Sequence, residues 1–342
     1  KPNVRLNLID DEAVDLSVNG SSAEVMLRSG EIVPSHCVVL AFGNFKPPHP
    51  SVADLSFVDS PDYFQNPWGA DLYESIAPND TIFIVGTGLS MIDVALHLQK
   101  TGHTGKISAI STRGMLPAVH KLGYTYPSFY DDIKGMTRIT DILKAVRRHA
   151  KKAEADGSNW RAVIDSLRPA TQQMWLDLPL AEKKYFMQHL SRYWNVARHR
   201  MPAEAAEVLD EMQKNQTLEI LRGRLKGIDE TEGGFHIRYT KDGIEMHSTA
   251  NILVNCIGSQ ANFAKIESTF VENLIDRNHI RNDELSLGIA AAPDGRVVDK
   301  NGEFSNVVYT LGTALKGTLW ETTAIPEIRT QARDLALRLL AE

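Results

Sequence analysis

Residues 84–91 read Ile84-Val85-Gly86-Thr87-Gly88-Leu89-Ser90-Met91, and this stretch decides the fold. An apolar run at 81–85 leads into it, and the spacing of apolar residues at 89–100 predicts a helix after it. A second apolar run at 106–111 predicts another strand. Strand, helix and strand in this order predict a βαβ unit within a parallel sheet.

The glycines of this stretch indicate a dinucleotide site. Gly86 permits a tight turn, and Gly88 lets a diphosphate approach the backbone. The helix that follows offers free N–H groups and the positive end of its dipole. The third position of the usual Gly-x-Gly-x-x-Gly pattern is Met91, which predicts a less close packing of helix on strand than a glycine allows. The alternative is an ordinary βα turn.

The end of the second strand bears on which nucleotide binds. It reads Ser111-Thr112-Arg113, where an NAD site usually has Asp or Glu. A guanidinium pairs with two phosphate oxygens at once, so Arg113 with Thr112 favours the 2′-phosphate of NADP over NAD. The alternative for Arg113 is a solvated loop charge.

Apolar runs that end in glycine occur four times, at Gly43, Gly86, Gly258 and Gly312. Glycine at the carboxyl end of a parallel strand lets a ligand approach the backbone. Residues 4–42 predict further short strands, beginning with the alternation of Val4–Ile9. Residues 138–213 predict helices between the two strand-rich regions and therefore an insertion. Its basic stretches, 138–161 and 192–200, are interpreted as a core face with a solvated basic edge.

Composition excludes several classes of protein. The chain of 342 residues is 43% hydrophobic and 23% charged, with a net charge of −6 and a pI near 6.0. We therefore expect no nucleic-acid partner. No apolar run is long enough for a membrane span, and no signal peptide or metal-ligand motif is visible. Cys37 and Cys256 are predicted to be buried free thiols, in keeping with a cytoplasmic location.

The order of these motifs resembles bacterial FAD/NAD(P)-binding oxidoreductases, relatives of flavin-containing and N-hydroxylating monooxygenases. The stretches that carry the resemblance are Val38–Gly43, Gly86–Asp93, Ser111–Gly114, Leu253–Gly258, Tyr309–Gly312 and Trp320–Ala324. The resemblance implies a Rossmann-like, three-layer α/β fold with two dinucleotide-binding domains, FAD and NADP as cofactors (NAD less so), and a monooxygenase-like activity.

The resemblance also implies a division of the chain. Residues 1–77 and 259–342 are expected to belong to the FAD domain, 78–129 and 215–258 to the NAD(P) domain, and 130–214 to a helical insertion. The cofactor-binding residues implied are Gly86, Thr87, Gly88, Leu89, Ser90, Thr112, Arg113, Gly43, Gly258, Gly312 and Thr313.

The chain departs from this family at its start. The family begins with a first Gly-x-Gly-x-x-Gly that holds the FAD diphosphate, and none precedes Gly43 here. We therefore expect an FAD domain truncated at its N-terminus, and a piece that by itself binds FAD weakly and is inactive. The leading hypothesis is an NADPH-dependent flavoprotein oxidoreductase that passes hydride to FAD and then to oxygen or another acceptor. The alternatives are a non-enzymatic NAD(P)-binding sensor and an interaction module. The sequence identifies no catalytic residue, small-molecule substrate or oligomeric state.

Overall fold

A computed structural model describes residues 4–299 and 301–341 of the chain. They form two compact units. The first unit comprises Lys1–Phe45, Ala170–Leu180 and Gln260–Glu342, and the second comprises Lys46–Pro169 and Ala181–Ser259. The predicted domain boundaries at 77/78, 129/130, 214/215 and 258/259 stay predictions.

Within the described residues the strands are β1 (Ala13–Asn19), β2 (Ser22–Leu27), β3 (Ile32–Ser35), β4 (Val38–Leu40), β5 (Tyr63–Phe64), β6 (Ile82–Val85), β7 (Ile107–Ser111), β8 (Leu218–Arg222), β9 (Arg224–Thr231), β10 (Gly234–Lys241), β11 (Ile244–Ala250), β12 (Ile252–Asn255), β13 (Arg296–Val298) and β14 (Phe304–Thr310). The helices are α1 (Ala70–Ser75), α2 (Leu89–Lys100), α3 (Ile139–Ala155), α4 (Trp160–Ser166), α5 (Thr171–Asp177), α6 (Leu180–His189), α7 (Ser191–Arg198), α8 (Ala203–Lys214), α9 (Thr269–Asp276), α10 (Lys316–Leu319) and α11 (Ile325–Leu339).

A five-stranded sheet organises the second unit, in the order β5-β12-β6-β7-β8. Each of its neighbouring pairs is parallel, with Ile84 opposite Val254 on one side and Ala109 on the other. All four residues of β6 are buried, as expected for a strand covered on both faces. The strand–helix–strand order of β6, α2 and β7 confirms the predicted βαβ unit.

Alternation along the strands divides the core of this unit into two layers. One face of the sheet, with Ile82 and Ile84, packs against α2 and α8. Met91 belongs to this layer and is fully buried, so the larger side chain at the third motif position fills the space between helix and sheet. The other face, with Phe83 and Val85, packs against Phe235 and other residues of the antiparallel sheet β9-β10-β11. The result is a three-layer arrangement of helices, parallel sheet and antiparallel sheet.

The first unit has its own sheets and its own core. Strands β1, β2 and β3 form an antiparallel sheet, and β13-β14-β4 form another in which β14 and β4 run parallel. Leu16 of the first sheet and Val308 of the second lie in one buried cluster with Val271 and Leu274 of α9. The predicted strands at 36–43 and 306–312 are therefore neighbours, although some 270 residues separate them in sequence.

The helical region departs from the sequence interpretation in detail. The spacing of Phe186, Leu190, Tyr193 and Ala197 predicts one apolar stripe, but a break between α6 and α7 interrupts it, and Tyr193 is 46% exposed. Helix α5 groups with the first unit, where the Trp175 ring stacks on that of Trp320 and its indole N–H donates to the carbonyl of Gly317 at 2.9 Å.

The predicted strand at Val4–Ile9 is wrong. Residues 4–10 carry no regular secondary structure, and Val4, Leu6 and Leu8 are 70%, 80% and 88% exposed. Alternation alone cannot make a strand, because a strand needs a neighbour for its backbone groups.

Two further expectations are tested by the structure. Cys256 is a buried free thiol, as predicted, whereas Cys37 is a free thiol that is only half-buried. Of the helices in the described part of the chain, none has the length and apolar character that crossing a membrane requires.

Candidate nucleotide-binding site

The turn after β6 requires glycine at its first position. Gly86 has φ of +116°, and a Cβ atom built there would lie 2.4 Å from the carbonyl oxygen of Cys256. The Gly86 N–H donates to the carbonyl of Ile110 at 2.8 Å, and the Cys256 N–H donates to that of Val85 at 2.8 Å. Gly86 therefore lets β12, β6 and β7 end side by side at the carboxyl edge of the sheet.

The second glycine serves a different purpose. Gly88 is exposed, has an ordinary φ of −85°, and a Cβ atom built there would meet nothing within 4 Å. Helix α2 begins at the next residue without a side-chain cap, and its first turn has no acidic residue. Its first N–H groups therefore have no partner within the helix, and the space beside Gly88, at the helix start, is open. This is the geometry that a diphosphate needs.

The side chain of Thr87 is hydrogen-bonded to other residues of the protein. It is buried, and its hydroxyl lies 2.7 Å from the carbonyl oxygen of Met115 and 2.9 Å from the hydroxyl of Ser111. These bonds tie the turn to the end of β7. Of the residues predicted to bind here, Thr87 therefore offers a ligand only its backbone, whereas Leu89 is exposed and Ser90 half-buried.

A basic pocket lies at the same edge of the sheet, beside Arg113. It has a volume of about 180 Å³. Its lining residues are Thr112, Arg113, Arg192, Arg222, Gly223, Arg224, Thr240, Lys241 and Asp242. Five of these carry a positive charge and one a negative charge. The structure thus brings both residues predicted from the end of β7 into one pocket.

The charges of this pocket are incompletely paired. Arg222 forms an ion pair with Asp242, at 3.1 Å between Nη2 and Oδ1. Among residues 4–299 and 301–341, the side chains of Arg113, Arg224 and Lys241 form no ion pair. A surplus of cations held in a concave site attracts a multiply charged anion, and guanidinium groups match a phosphate geometrically.

Backbone contacts hold the wall of the pocket in place. Ser111 at the end of β7 pairs with Arg222 at the end of β8, and its carbonyl accepts the Gly223 N–H at 3.0 Å. Gly114 has φ of +60° and packs against the side chain of Arg222, with 3.1 Å from its ideal Cβ position to that residue's Cβ. Because Ser111 also contacts Thr87, the wall of the pocket and the Gly86–Gly88 turn are linked through one residue.

Sequence reasoning missed most of this pocket. Arg222, Arg224 and Lys241 come from strands and a hairpin more than 100 residues after Arg113. Arg192 was assigned to a solvated basic edge, yet it lines the pocket from α7. The available signal was the charge of Arg222 and Arg224 just after the apolar run at 217–221.

A second group of predicted residues lies in the first unit. Gly43 and Gly312 follow the parallel strands β4 and β14, and both have positive φ values, +70° and +73°. The hydroxyl of Thr313 donates to the carbonyl of Gly43. The structure therefore brings together these three residues, which the resemblance predicts to bind cofactor.

Side chains satisfy the backbone at Gly312. Its N–H donates to Oε1 of Gln331 at 2.8 Å, and its carbonyl accepts the hydroxyl of Thr322 at 3.0 Å. The Gln331 amide also donates to the Thr322 hydroxyl at 2.6 Å. Gly258, the remaining predicted residue, belongs to the second unit, where it is exposed with φ of +94°.

The N–H groups at the start of α2 and the cations of the basic pocket fit the phosphate groups of one dinucleotide. No second strand–Gly-x-Gly–helix turn occurs in the described part of the chain. The residues present therefore do not fit the diphosphate of FAD.

The thiol behind the Gly86 turn is inert by burial. Cys256 is 5% exposed, and burial, with a smaller effect of Asp93, raises the pKa of its thiol to about 12. It therefore stays protonated at neutral pH, and its role at this turn is structural.

Comparison by sequence identifies no relative. No protein-family model matches the chain, and no curated protein matches it.

Comparison by structure identifies many similar proteins. The structure of L-lysine 6-monooxygenase from Pseudomonas syringae is 14% identical with a TM-score of 0.64, and the match covers 97% of this chain and 71% of that one. Ornithine N-hydroxylase from Kutzneria sp. 744, described with FADred, NADP+ and L-orn, is 13% identical with a TM-score of 0.62, covering 97% and 72%. Thioredoxin reductase from T. acidophilum is 10% identical with a TM-score of 0.51, covering 96% and 73%.

These similarities confirm the predicted fold class. The chain has the α/β fold of flavin-dependent N-hydroxylating monooxygenases and of thioredoxin-reductase-like FAD/NAD(P) oxidoreductases. It spans about 70% of the length of those structures. At such low identity the likeness concerns the fold alone, and the activity must be argued from the site.

Proposed function

We propose that this chain binds NADPH and acts in a flavoprotein oxidoreductase. The observation that carries the proposal is the basic pocket beside Arg113, at the same sheet edge as the open start of α2. In this arrangement the N–H groups after Gly88 bind the diphosphate, and the cations of the pocket bind the 2′-phosphate that distinguishes NADPH from NADH.

The contacts indicate which residues bind each phosphate group of the nucleotide. Gly86 and Gly88 give the diphosphate access to the backbone, and Thr87 fixes the turn against Ser111. Arg113 and Arg224 bind the 2′-phosphate, since neither has an ion-pair partner among the described residues. NADPH, when bound, supplies a hydride. The chain binds and orients it, which agrees with the lack of any acid–base constellation in the pocket.

The flavin part of the proposal rests on the fold comparison. The solved structures that share this fold include proteins described with FAD and with NADP. Gly43, Gly258, Gly312 and Thr313 stay predicted cofactor-binding residues, since the described residues hold no second diphosphate cradle.

Binding measurements test the NADPH assignment. Replacement of Arg113 with alanine is expected to weaken NADPH binding by roughly tenfold to a hundredfold, the effect of about 1.5–3 kcal/mol for a hydrogen bond to a charged group. NADH binding should stay within twofold, because NADH has no 2′-phosphate. Arg147→Ala, an exposed arginine on α3 of the same unit, is the matched control and should leave both affinities unchanged. Equal losses for NADPH and NADH would contradict the assignment.

A non-enzymatic nucleotide-binding module is the second candidate. It is favoured by the single diphosphate cradle among the described residues. The visible spectrum of the purified full-length gene product discriminates between the two candidates. Bound flavin that is bleached by NADPH supports the oxidoreductase, whereas tight NADPH binding without a flavin spectrum supports the module.

A further inference from the structure

Two histidines meet on the exposed face of the antiparallel sheet, outside the residues assigned to the nucleotide. His236 lies on β10 and His247 on the neighbouring β11. Nε2 of His236 and Nδ1 of His247 are 3.1 Å apart, and the two ring planes differ by only 8°. The side chains are 35% and 52% exposed, so solvent and solutes reach them.

A carboxylate lies beside the outer nitrogen of each ring. Oδ2 of Asp229 is 3.6 Å from Nδ1 of His236, and Oε1 of Glu245 is 3.6 Å from Nε2 of His247. The register of the sheet produces this order, because Asp229 on β9 is directly opposite His236. Both imidazoles thus have an acidic neighbour on the side that faces away from the other ring.

The two inner nitrogens can hold one proton or one metal ion between them. At 3.1 Å they lie at hydrogen-bond distance, and the tautomers decide which of them donates. A carboxylate 3.6 Å from the outer nitrogen of each ring favours an N–H there, and in that tautomer both inner lone pairs are available to a cation.

The spacing suits a metal ion. Zn²⁺ binds imidazole nitrogen at about 2.0–2.1 Å, which places two nitrogens of a tetrahedral site about 3.3 Å apart. The observed separation of 3.1 Å differs from this by only a few tenths of an ångström. A carboxylate near the outer nitrogen of each ring, at 3.6 Å, lies on the side from which proteins orient histidine ligands.

The charged side chains around His236 and His247 do not exclude a cation. Arg238 lies opposite His247 in the sheet, but its guanidinium is bound to both carboxylate oxygens of Asp229, at 3.0 and 3.1 Å. The carboxylate of Glu245 places a second negative charge near the guanidinium of Arg238. Within the described residues no group of three or more His, Cys, Asp or Glu side chains forms a metal site, so two imidazoles and water must complete the coordination.

We propose that His236 and His247 form a two-histidine site for a divalent ion of the Zn²⁺, Ni²⁺ and Cu²⁺ class. The ion joins β10 to β11 through side chains and replaces the proton between the rings. Because the ion binds the folded sheet, it stabilises the protein by mass action, and its affinity falls at lower pH as protons compete for the same nitrogens. The site needs no nucleotide and stands independently of the proposed function.

Calorimetric titration of the untagged protein with ZnCl₂ at pH 7.5 tests the proposal. We expect one ion per chain, and at least tenfold weaker binding in both His236→Gln and His247→Gln. The control is His36→Gln, which removes an exposed histidine of the first unit and should bind like the unaltered protein. Zinc affinity unchanged in either of the two variants, or no binding by the unaltered protein, would overturn the proposal.

A second measurement avoids any variant. X-ray absorption of the zinc-loaded, unaltered protein should show two imidazole nitrogens with oxygen ligands. A spectrum with one imidazole or none would contradict the site even if zinc binds.

Discussion

The turns after β6 and β14 begin alike in sequence but differ in what their backbones contact. Each follows a strand whose last four residues are buried, and each has a glycine of positive φ, Gly86 or Gly312. At the first turn the N–H groups that open α2 meet no capping side chain. At the second, the Gly312 N–H is bound to Gln331 and its carbonyl to Thr322.

This difference shows which feature makes a diphosphate site. A glycine after a strand allows the backbone to turn, but it leaves no donor for a ligand when side chains have already taken the amides. The first turn combines free amides with a helix of twelve residues and a basic pocket. The second opens a 3-10 helix, Gly312–Leu315, that continues into the four-residue α10, so the helical segment is shorter than α2.

The largest effect is expected from alanine at the two glycines. Gly86→Ala places a methyl group 2.4 Å from a carbonyl oxygen in an unfavourable backbone conformation, and should lower the free energy of unfolding by about 3–4 kcal/mol. Gly312→Ala meets only Ile328 at 3.8 Å, so the cost should be the left-handed backbone alone, about 1–2 kcal/mol. Urea denaturation of both variants measures this, and equal losses would break the comparison.

The hydrogen bonds that satisfy the backbone of the second turn can be tested at Gln331. Gln331→Ala leaves the buried Gly312 N–H without its acceptor and should cost about 1–3 kcal/mol in unfolding free energy. Thr330→Ala on the exposed side of the same helix should cost less than about 0.5 kcal/mol. If thermal denaturation shows similar values for the two variants, the network does not hold this turn.

A side chain introduced at Gly88 can cap the free N–H groups of the first turn. Gly88→Asp adds a carboxylate in open space at the start of α2, where it should cap the helix and raise stability by about 0.3–1 kcal/mol. The same charge should repel a diphosphate and weaken both NADPH and NADH at least tenfold, about 1.4 kcal/mol. Gly88→Ser adds a neutral cap and is the control. Nucleotide affinities unaffected by the aspartate would place the diphosphate elsewhere.

The smallest effect concerns thiol chemistry behind the first turn. The raised pKa of Cys256, about 12, means that almost none of it is thiolate at pH 8, so iodoacetamide should alkylate only the half-buried Cys37 at a measurable rate. As the pH rises toward 12 the thiolate fraction of Cys256 grows, and its labelling should follow. Mass spectrometry after short labelling at pH 8 reads both sites. Rapid labelling of Cys256 would show that the turn opens.

The sequence predicted the βαβ unit because its signals are local. The helix bounds at Leu89 and Lys100 agree with the structure, and β7 starts one residue later than expected. Periodicity, a tight Gly-x-Gly turn and an apolar strand lie within thirty residues of one another, so each restricts the others. Where only one signal was present, as in the alternation of Val4–Ile9, the prediction was wrong.

The pocket was outside the reach of such reasoning. Arg113 was identifiable because it stands at a fixed distance from the turn, whereas Arg192, Arg222 and Lys241 depend on how distant elements pack. The pairing of β7 with β8 sets Arg222 beside Ser111, and no local pattern encodes that register. The same holds for His236 and His247, which the hairpin of β10 and β11 brings together.

By itself the sequence determined the turn at Gly86 and the order of strands and helices around it, since backbone conformation and hydrophobic periodicity act over short distances. Only the tertiary structure decided which strand-ending glycine keeps its neighbouring amides free, and which charges gather beside it. Partners for buried donors and for cations come from residues remote along the chain, and packing alone selects them.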